Sequence, residues 1–257
     1  MDLTLVTCNI RFNNPADGPN AWEHRRDFLA QTLKAHDPDV IATQEGRFDQ
    51  LKELEVLLKD YVIIDSHRSW IKERMYPSIF LKKNRFEVLK SEDLWLSETP
   101  HMAGSLSFKS TFPRLMTYIS VQPKESKKNL LIVNTHLDHV QRETREAQVR
   151  VLTTEINKVR NIEGVLAILG DFNDSPSSSV QQIMRDEIPG LTDAWKQQNL
   201  EEETSYHSFK GVMADGSRID WIMIQGAAKI LECKMEKLSL DNLYPSDHFP
   251  IICRISV

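Results

Sequence analysis

The chain has 257 residues, of which 40% are hydrophobic and 27% charged, a composition that excludes disordered and fibrous proteins. Its formal net charge of −5 argues against a constitutive polyanion binder, because affinity for nucleic acids rests largely on lysine and arginine. The three cysteines show no CxxC spacing, no segment approaches the roughly 20 apolar residues of a membrane span, and no signal peptide is recognisable, so we expect a cytoplasmic protein without disulfides or a membrane partner.

Short β-branched runs alternate with amphipathic stretches in the first part of the chain, which is the pattern of an α/β fold. Strands are predicted over residues 3–10 and 39–44, and helices over residues 21–35 and 48–58. The middle of the chain has little helix between its strands, which indicates an antiparallel stretch. Its predicted strands are residues 61–65, 78–82, 86–96, 115–122 and 130–135.

The last part of the chain returns to alternating elements. Helices are predicted over residues 142–160 and 178–185. Strands are predicted over residues 165–170, 218–224, 230–238 and 249–257. Because no linker, repeat or low-complexity segment divides the sequence, we expect a single domain over residues 1–257.

Polar residues recur where predicted strands end. Asn9 ends VTCN, Glu45 ends VIATQE, His136 ends LLIVNTH, and Asp171 and Asn173 end VLAILGDFN. In α/β sheets, ligands bind where the loops that leave the strand ends meet. Taken singly, each residue has an ordinary structural alternative as a turn former, a helix cap or a solvated loop residue.

The combination favours catalysis. Hard divalent cations need clustered oxygen ligands, which Asn9, Glu45, Asp171 and Asp247 can supply. His136 and His248 provide nitrogen chemistry near neutral pH, and Asp220 can orient a histidine. Cysteine is almost absent from these motifs, which argues against a structural zinc site.

Six motifs, in this order, resemble the endonuclease/exonuclease/phosphatase superfamily over nearly the whole chain. They are TCNIR at 7–11, QE at 44–45, NTHLDH at 134–139, GDFN at 170–173, RIDWI at 218–222 and SDHFP at 246–250. Three further segments resemble a bacterial branch related to the eukaryotic deadenylases. They are NAWEHRRD at 20–27, WLSETP at 95–100 and PRLMTY at 113–118.

The resemblance implies a four-layer α/β/β/α sandwich in which two mixed β-sheets pack face to face. It also implies a role for each site residue. Glu45 would be the principal ligand of Mg²⁺ or Mn²⁺, with Asn9 beside it and Asp247 near the metal. Asp171 would orient or deprotonate the attacking water, Asn173 and His136 would bond the phosphoryl oxygens, and His248, held by Asp220, would be a second acid or base.

Four more residues are candidate substrate contacts. Arg114 lies in the segment shared with the bacterial branch, and its guanidinium suits a phosphate, although a surface ion pair is the alternative. His139 is expected either to select a terminal phosphate or to have only a structural role in its loop. Trp22 and Trp95 are expected either to stack on a base or sugar or to belong to the core.

The sequence therefore predicts a metal-dependent phosphate-ester hydrolase that uses in-line attack of water. A phosphomonoesterase or small phosphodiesterase fits the acidic charge and the absence of a basic, aromatic-rich insertion. A deadenylase-like exonuclease that acts on short single-stranded nucleic acid is the alternative. A catalytically inactive binding module is a third reading, against which the completeness of the motif set argues. No obligate protein partner is evident.

Overall fold

Two six-stranded mixed sheets form the centre of the computed structural model, which describes residues 1–126 and 128–257. Along the chain, the first sheet contains β1 (Asp2–Asn9), β2 (Val40–Gly46), β3 (Tyr61–Ile63), β4 (Tyr76–Lys82), β11 (Lys229–Met235) and β12 (Ile251–Ser256). The second contains β5 (Phe86–Trp95), β6 (Leu115–Pro123), β7 (Leu130–His136), β8 (Val165–Asp171), β9 (Thr192–Asp193) and β10 (Asp220–Gln225).

Each sheet has one parallel pair near its centre, and antiparallel strands flank that pair. The strand orders are β11-β12-β1-β2-β4-β3 and β5-β6-β7-β8-β10-β9. β1 runs parallel to β2, and β7 runs parallel to β8. Each parallel pair is joined by a helix, α1 (Trp22–Lys34) and α3 (Arg142–Val159) respectively. A helical crossover is the usual connection between parallel neighbours, and it brings their carboxyl ends to the same edge of the sheet.

Strand alternation divides the apolar residues between two environments. In β1, Leu3 and Leu5 lie in the core between the sheets, whereas Val6 and Cys8 pack on the outer side beneath α1. The other central strands alternate in the same way, so the two sheets share one apolar core. Successive side chains of a strand point to opposite faces of the sheet. Because both faces of each sheet are covered, both sets of side chains are buried.

Helices cover the two outer faces. The apolar sides of α1 and α2 (Phe48–Leu57) pack on the first sheet, and those of α3 and α4 (Ser179–Glu187) pack on the second. This arrangement confirms the predicted four-layer sandwich, and the predicted strands of the middle segment are indeed antiparallel. The predictions missed three short elements, the 3₁₀ helix Pro15–Asn20, α5 (Ala194–Gln197) and β9. No helix of the described residues is long and apolar enough to cross a membrane.

A buried polar layer joins the sheets where the apolar core ends. The amide of Gln44 donates to the Thr7 hydroxyl at 3.0 Å and, across the gap between the sheets, to the side-chain oxygen of Asn134 at 2.7 Å. Asn134 returns hydrogen bonds to the carbonyls of Thr43 and Ser78 in the first sheet. Because a buried polar group without a partner is costly, this layer specifies how the strand ends of the two sheets align.

Candidate active site

The predicted catalytic residues meet just beyond this polar layer, at the end of the space between the sheets. The strand alternation that buries Leu5 also directs into this space the last side chains of β1, β7 and β8 and the first side chain of the antiparallel β10. These are Asn9 of β1, His136 of β7, Asp171 of β8 and Asp220 of β10. In the second sheet Asp171 lies between His136 and Asp220 as their register partner. The expectation that separate strand ends converge is therefore met for these residues.

A glycine permits the close approach of β7 and β8 at the site. A Cβ atom on Gly170 would lie 2.2 Å from the carbonyl oxygen of Thr135, which no side chain can do without moving backbone. The residues that follow each of these two positions are His136 and Asp171. The first letter of the GDFN motif thus has a packing function, because it lets these two side chains stand next to each other.

Glu45 reaches the site through an unusual backbone conformation. Its φ is 67°, in the left-handed region that non-glycine residues rarely adopt, and the register with β4 shifts between Thr43 and Gly46. Strain of this kind persists only where the surroundings enforce it, and it concentrates at functional sites. The Glu45 carboxylate accepts a hydrogen bond from the backbone N–H of Phe12 at 3.1 Å. Asn173 also has a positive φ, of 51°.

Asn9 connects two carboxylates. Its amide nitrogen donates to Glu45 at 3.1 Å and to Asp171 at 2.9 Å. Its amide oxygen accepts the backbone N–H of Arg11 at 3.0 Å. The amide oxygen keeps a second lone pair, so Asn9 stays a predicted metal ligand. Its amide nitrogen also sets the positions of Glu45 and Asp171 relative to each other.

His136 is held by Arg114 in one tautomer. The Arg114 guanidinium lies 3.0 Å from Nδ1 of His136 and 3.4 Å from Nδ1 of His139. An arginine can only donate, so Nδ1 of His136 accepts and the ring hydrogen sits on Nε2. That atom is 3.4 Å from Asp171. Burial, together with the Arg114 charge, lowers the pKa of His136 well below its usual value, so His136 is a neutral donor to the site.

His248 has the opposite electrostatic environment. Its Nδ1 lies 2.8 Å from a carboxylate oxygen of Asp220, and its Nε2 lies 3.9 Å from Asp171. Burial opposes protonation of His248, but the Asp220 and Asp171 carboxylates outweigh it and raise the pKa well above its usual value. The predicted Asp220–His248 pair is therefore present. It presents a charged ring to the site, whereas His136 presents a neutral one.

Carboxylates crowd together at the site. Burial and the nearby Asp220 raise the pKa of Asp171 to about 7. Burial, and then the charge of Glu45, also raise the pKa of Asp247. Buried carboxylates this close resist ionising together, and a cation between them would remove that penalty. Their oxygen donors suit Mg²⁺ or Mn²⁺. The residues present therefore fit a hard divalent cation.

Two sets of donors are candidates for holding such a cation. One is the predicted pair Glu45 and Asp247, which line the cavity together with Asp171. The other is the trio of Asp171, Asp220 and His248, whose ligand atoms lie within 4.8 Å of one another. The second set is weakened by the hydrogen bond that already joins His248 to Asp220. Its remaining oxygen, Oδ1 of Asp220, has no hydrogen-bond partner among the described residues.

The site opens into a cavity of about 520 Å³. The inner wall contains the predicted residues Glu45, Arg114, His136, His139, Asp171, Asn173, Asp247 and His248. The outer wall contains side chains that were not predicted, chiefly Arg11, Phe12, Arg47, Phe112 and Tyr206. A cavity of this size accommodates a small phosphate ester together with part of its leaving group.

Trp22 and Trp95 do not line the cavity, so the expectation that they stack on substrate is wrong. Their side chains are 2% and 3% exposed and lie in the core beneath the helices of the first sheet. Trp22 also donates to Glu53 through its indole nitrogen at 2.8 Å. A ring enclosed on both faces cannot offer one to a ligand. The core alternative that the sequence left open is the one the structure supports.

Two exposed aromatic rings occupy the position expected of those tryptophans. Phe112 is 43% exposed and stacks on His139, with ring centroids 6.2 Å apart. Tyr206 is 42% exposed and packs against His248 at 5.0 Å. Each ring is supported by a histidine of the site and keeps a free edge toward the cavity. The sequence contained one signal for Phe112, its place directly before Pro113 and Arg114, and none for Tyr206.

The sequence profile of the Endonuclease/Exonuclease/phosphatase family matches residues 6–248. The chain belongs to this family. Endonucleases, exonucleases and phosphatases all hydrolyse phosphate esters, so membership assigns the chain to a family of phosphoester hydrolases and confirms the predicted resemblance. The match begins before Asn9 and ends at His248, and it therefore contains every predicted site residue.

Solved structures confirm the fold. An endonuclease/exonuclease/phosphatase from Bacteroides vulgatus matches with a TM-score of 0.91 and 26% identity, covering 100% of this chain and 99% of that one. A mannosyl-6-phosphatase from Bacteroides thetaiotaomicron matches with a TM-score of 0.88 and 22% identity, over 99% of this chain and 100% of that one. TDP2 of D. rerio, complexed with a single-strand DNA product, matches with a TM-score of 0.79 and 19% identity, covering 100% of this chain and 99% of that one.

Curated relatives are covered less completely than the solved structures. Human nocturnin is 22% identical over 266 residues, which cover 91% of this chain and 58% of nocturnin. An uncharacterised protein of Acanthamoeba polyphaga mimivirus is 26% identical over 162 residues, or 59% of each chain. The chain thus spans less than two thirds of the curated relatives that it matches.

Alanine substitutions at Trp95 and Phe112 separate the core from the substrate wall. We expect Trp95→Ala to lower the free energy of unfolding by about 3–5 kcal/mol, because it leaves a cavity beneath the helices. Phe112→Ala, in contrast, is expected to keep the stability and to raise KM for aryl phosphates. Urea denaturation and steady-state kinetics on both variants would check this. A higher KM without a loss of stability in Trp95→Ala would contradict the core assignment.

Proposed function

We propose that this protein is a divalent-metal-dependent hydrolase of phosphomonoesters or small phosphodiesters. It would use in-line attack of a water molecule on phosphorus. One observation carries the proposal. Three carboxylates and two histidines with opposite pKa shifts face a single cavity, next to an arginine that has no carboxylate hydrogen-bond partner in the described part of the chain.

The proposed metal is Mg²⁺ or Mn²⁺. Glu45 and Asp247 would hold it, with Asp171 close by. When bound, the ion would neutralise charge on the phosphoryl oxygens and lower the cost of bringing an anionic substrate among carboxylates. Asn9 would keep Glu45 and Asp171 in place through the two hydrogen bonds of its amide nitrogen, and its oxygen would lie beside the ion as a further ligand.

Asp171 would orient the attacking water and accept its proton. It is buried, and its pKa of about 7 is close to the pH at which a general base works best. The hydrogen on Nε2 of His136 would be donated to a non-bridging phosphoryl oxygen. Asn173, whose backbone N–H also bonds Asp171 at 2.9 Å, would donate its side-chain amide. Donors that are fixed before the reaction stabilise the charge that develops in the transition state.

His248 would be the cationic partner on the other side of the phosphoryl group. The Asp220 carboxylate keeps its ring protonated and fixes its orientation. A charged imidazole can stabilise the pentacoordinate transition state or protonate the leaving oxygen. The neutral His136 and the charged His248 thus provide different functions with the same residue type.

Arg114 and His139 would bind the substrate phosphate from the side opposite Asp171. Arg114 lines the cavity, and its guanidinium bonds two histidines but no carboxylate among the described residues, so its charge remains for an anion. A planar guanidinium matches two phosphate oxygens. The leaving group would then lie between Phe112 and Tyr206. These contacts favour a terminal phosphate on a small molecule.

A metal-dependent exonuclease on short single-stranded nucleic acid is the second candidate. The observation in its favour is the outer wall of the cavity, where Arg11, Arg47 and Arg74 lie near the exposed rings of Phe112 and Tyr206. Arginines along a strand path and aromatic rings for stacking are features of single-strand binding. Against it, Arg11 and Arg47 already form ion pairs, with Asp17 and Glu73 respectively.

A substrate panel tests the proposal. Purified protein with Mg²⁺, with Mn²⁺ or with EDTA should release phosphate from phosphomonoesters, and bis-aryl phosphodiesters, single-stranded RNA with poly(A) and abasic duplex DNA complete the panel. We expect turnover only with metal.

Asp171→Asn and His248→Ala are expected to lose about 10²–10⁴-fold in kcat, because each removes a proton-transfer or charge-stabilising group, with little change in Tm.

Each outcome of the panel has a defined meaning. Stepwise shortening of RNA without release from monoesters would replace the proposal with the nuclease candidate. Turnover that survives EDTA, or undiminished activity in either variant, would contradict the assigned roles. Silence across the panel would favour a binding module that retains the fold without activity.

The Asp220–His248 pair predicts a shift in the pH profile. The rate should fall as pH rises through the pKa of His248, because the charged ring is then lost. Replacing Asp220 with asparagine removes the anion that raises this pKa, so the alkaline limb of kcat should move down by about 1–3 pH units. Asp39→Asn is the control. Asp39 is also a buried carboxylate, but it accepts the backbone N–H of Thr4, near the end of β1 that lies away from the site. An alkaline limb that stays in place in Asp220→Asn would refute the pairing role.

A further inference from the structure

The NAWEHRRD segment is a family-like motif to which the proposed chemistry gives no function. The first of its two arginines, Arg25, lies in the first turn of α1 and is 0% exposed. The guanidinium donates to four backbone carbonyls: Nε to Asn20 at 2.9 Å, Nη1 to Ile10 at 2.8 Å and Pro245 at 3.0 Å, and Nη2 to Arg11 at 2.8 Å. No carboxylate accepts from it among the described residues.

Two of these carbonyls belong to peptide groups whose N–H donates to a side chain of the site. The carbonyl of Ile10 and the N–H of Arg11 form one peptide plane, and that N–H donates to Asn9. The carbonyl of Arg11 and the N–H of Phe12 form the next plane, and that N–H donates to Glu45. Because a peptide group is planar, fixing the oxygen on one side fixes the direction of the N–H on the other.

The third carbonyl belongs to the segment that carries the other proposed metal ligand. Pro245 lies two residues before Asp247, and the Ser246 hydroxyl donates to the carbonyl of Asn9 at 2.6 Å. Arg25 therefore contacts both the segment that follows β1 and the segment that precedes β12. Its bonds set the separation between Glu45 on one side and Asp247 on the other.

The energetics point to a specific requirement for arginine. Burying a charge among neutral carbonyls is expensive, and it lowers the pKa of Arg25 to about 10, which still leaves the side chain charged at neutral pH. A guanidinium provides five N–H donors in one rigid plane, whereas a lysine provides three at a single point. Lysine can therefore replace the charge but cannot bond all four carbonyls.

We propose that Arg25 is a positioning residue for the metal site. By fixing residues 10–12 and 245–248 together, it keeps the oxygens of Glu45 and Asp247 at the separation that one divalent cation requires. It touches neither substrate nor metal. The proposal rests on the proposed function, because it assumes that these carboxylates bind a cation.

The test measures metal binding without turnover. Mn²⁺ is titrated calorimetrically into the full-length wild-type protein and into Arg25→Met, Arg25→Lys and Arg68→Met. Arg68 is the matched control, because it is also buried and bonds the carbonyl of Pro77, but its other partners lie outside the site. We expect the Kd for Mn²⁺ to rise about 10–100-fold in Arg25→Met and by less in Arg25→Lys. Arg68→Met should lose stability and keep the wild-type Kd.

Hydrogen exchange provides a second readout, which does not depend on metal. In folded Arg25→Lys, amides of residues 10–12 and 245–248 should exchange faster while the rest of the chain is unchanged. Unaltered exchange there, together with a wild-type Mn²⁺ affinity in Arg25→Lys, would overturn the proposal and leave Arg25 a purely structural residue. A wild-type protein that binds no Mn²⁺ would overturn the proposed function, and this inference with it.

Discussion

Because side chains alternate between the two faces of a strand, every second residue of the central strands points into the space between the two sheets. Over most of their length these positions are apolar and form the shared core, as Leu3 and Leu5 do in β1. At the carboxyl ends of the parallel pairs the same positions become polar. Asn9, His136 and Asp171 lie at that end. The site is thus a continuation of the core, and the packing that stabilises the sandwich also positions the proposed catalytic groups.

The electrostatics of the site follow from this burial. Carboxylates that leave water at the end of an apolar core have raised pKa values, as Asp171 and Asp247 do. The pKa values of the two histidines diverge. Burial and the Arg114 charge lower that of His136, whereas the Asp220 carboxylate outweighs burial and raises that of His248. A divalent cation and an anionic phosphate would together balance these charges. Without them, the arrangement is an unfavourable one that the surrounding hydrogen bonds maintain.

The sequence predicted most of the fold and the inner site, because both depend on patterns that are local in the chain. Periodicity located the strands, and the polar residue at each strand end marked the site. What it could not predict depends on contacts between distant segments. The sequence left Trp22 and Trp95 open between the core and the substrate wall, and the exposure of Tyr206 has no local signature. The same holds for the engagement of the Asn9 oxygen by the Arg11 backbone, and for the bonds of Arg25 to a segment 220 residues away.

The central claim is that one cation, held by Glu45, activates this site. It is tested most directly by titrating Mn²⁺ into wild-type protein and Glu45→Gln, and following binding by calorimetry and phosphate release in parallel. We expect the binding and activity midpoints to coincide in the wild type and both to rise at least about tenfold in Glu45→Gln, since a neutral amide is a weaker ligand for a hard cation. Phosphate release that needs no metal, or midpoints that Glu45→Gln leaves unchanged, would contradict it.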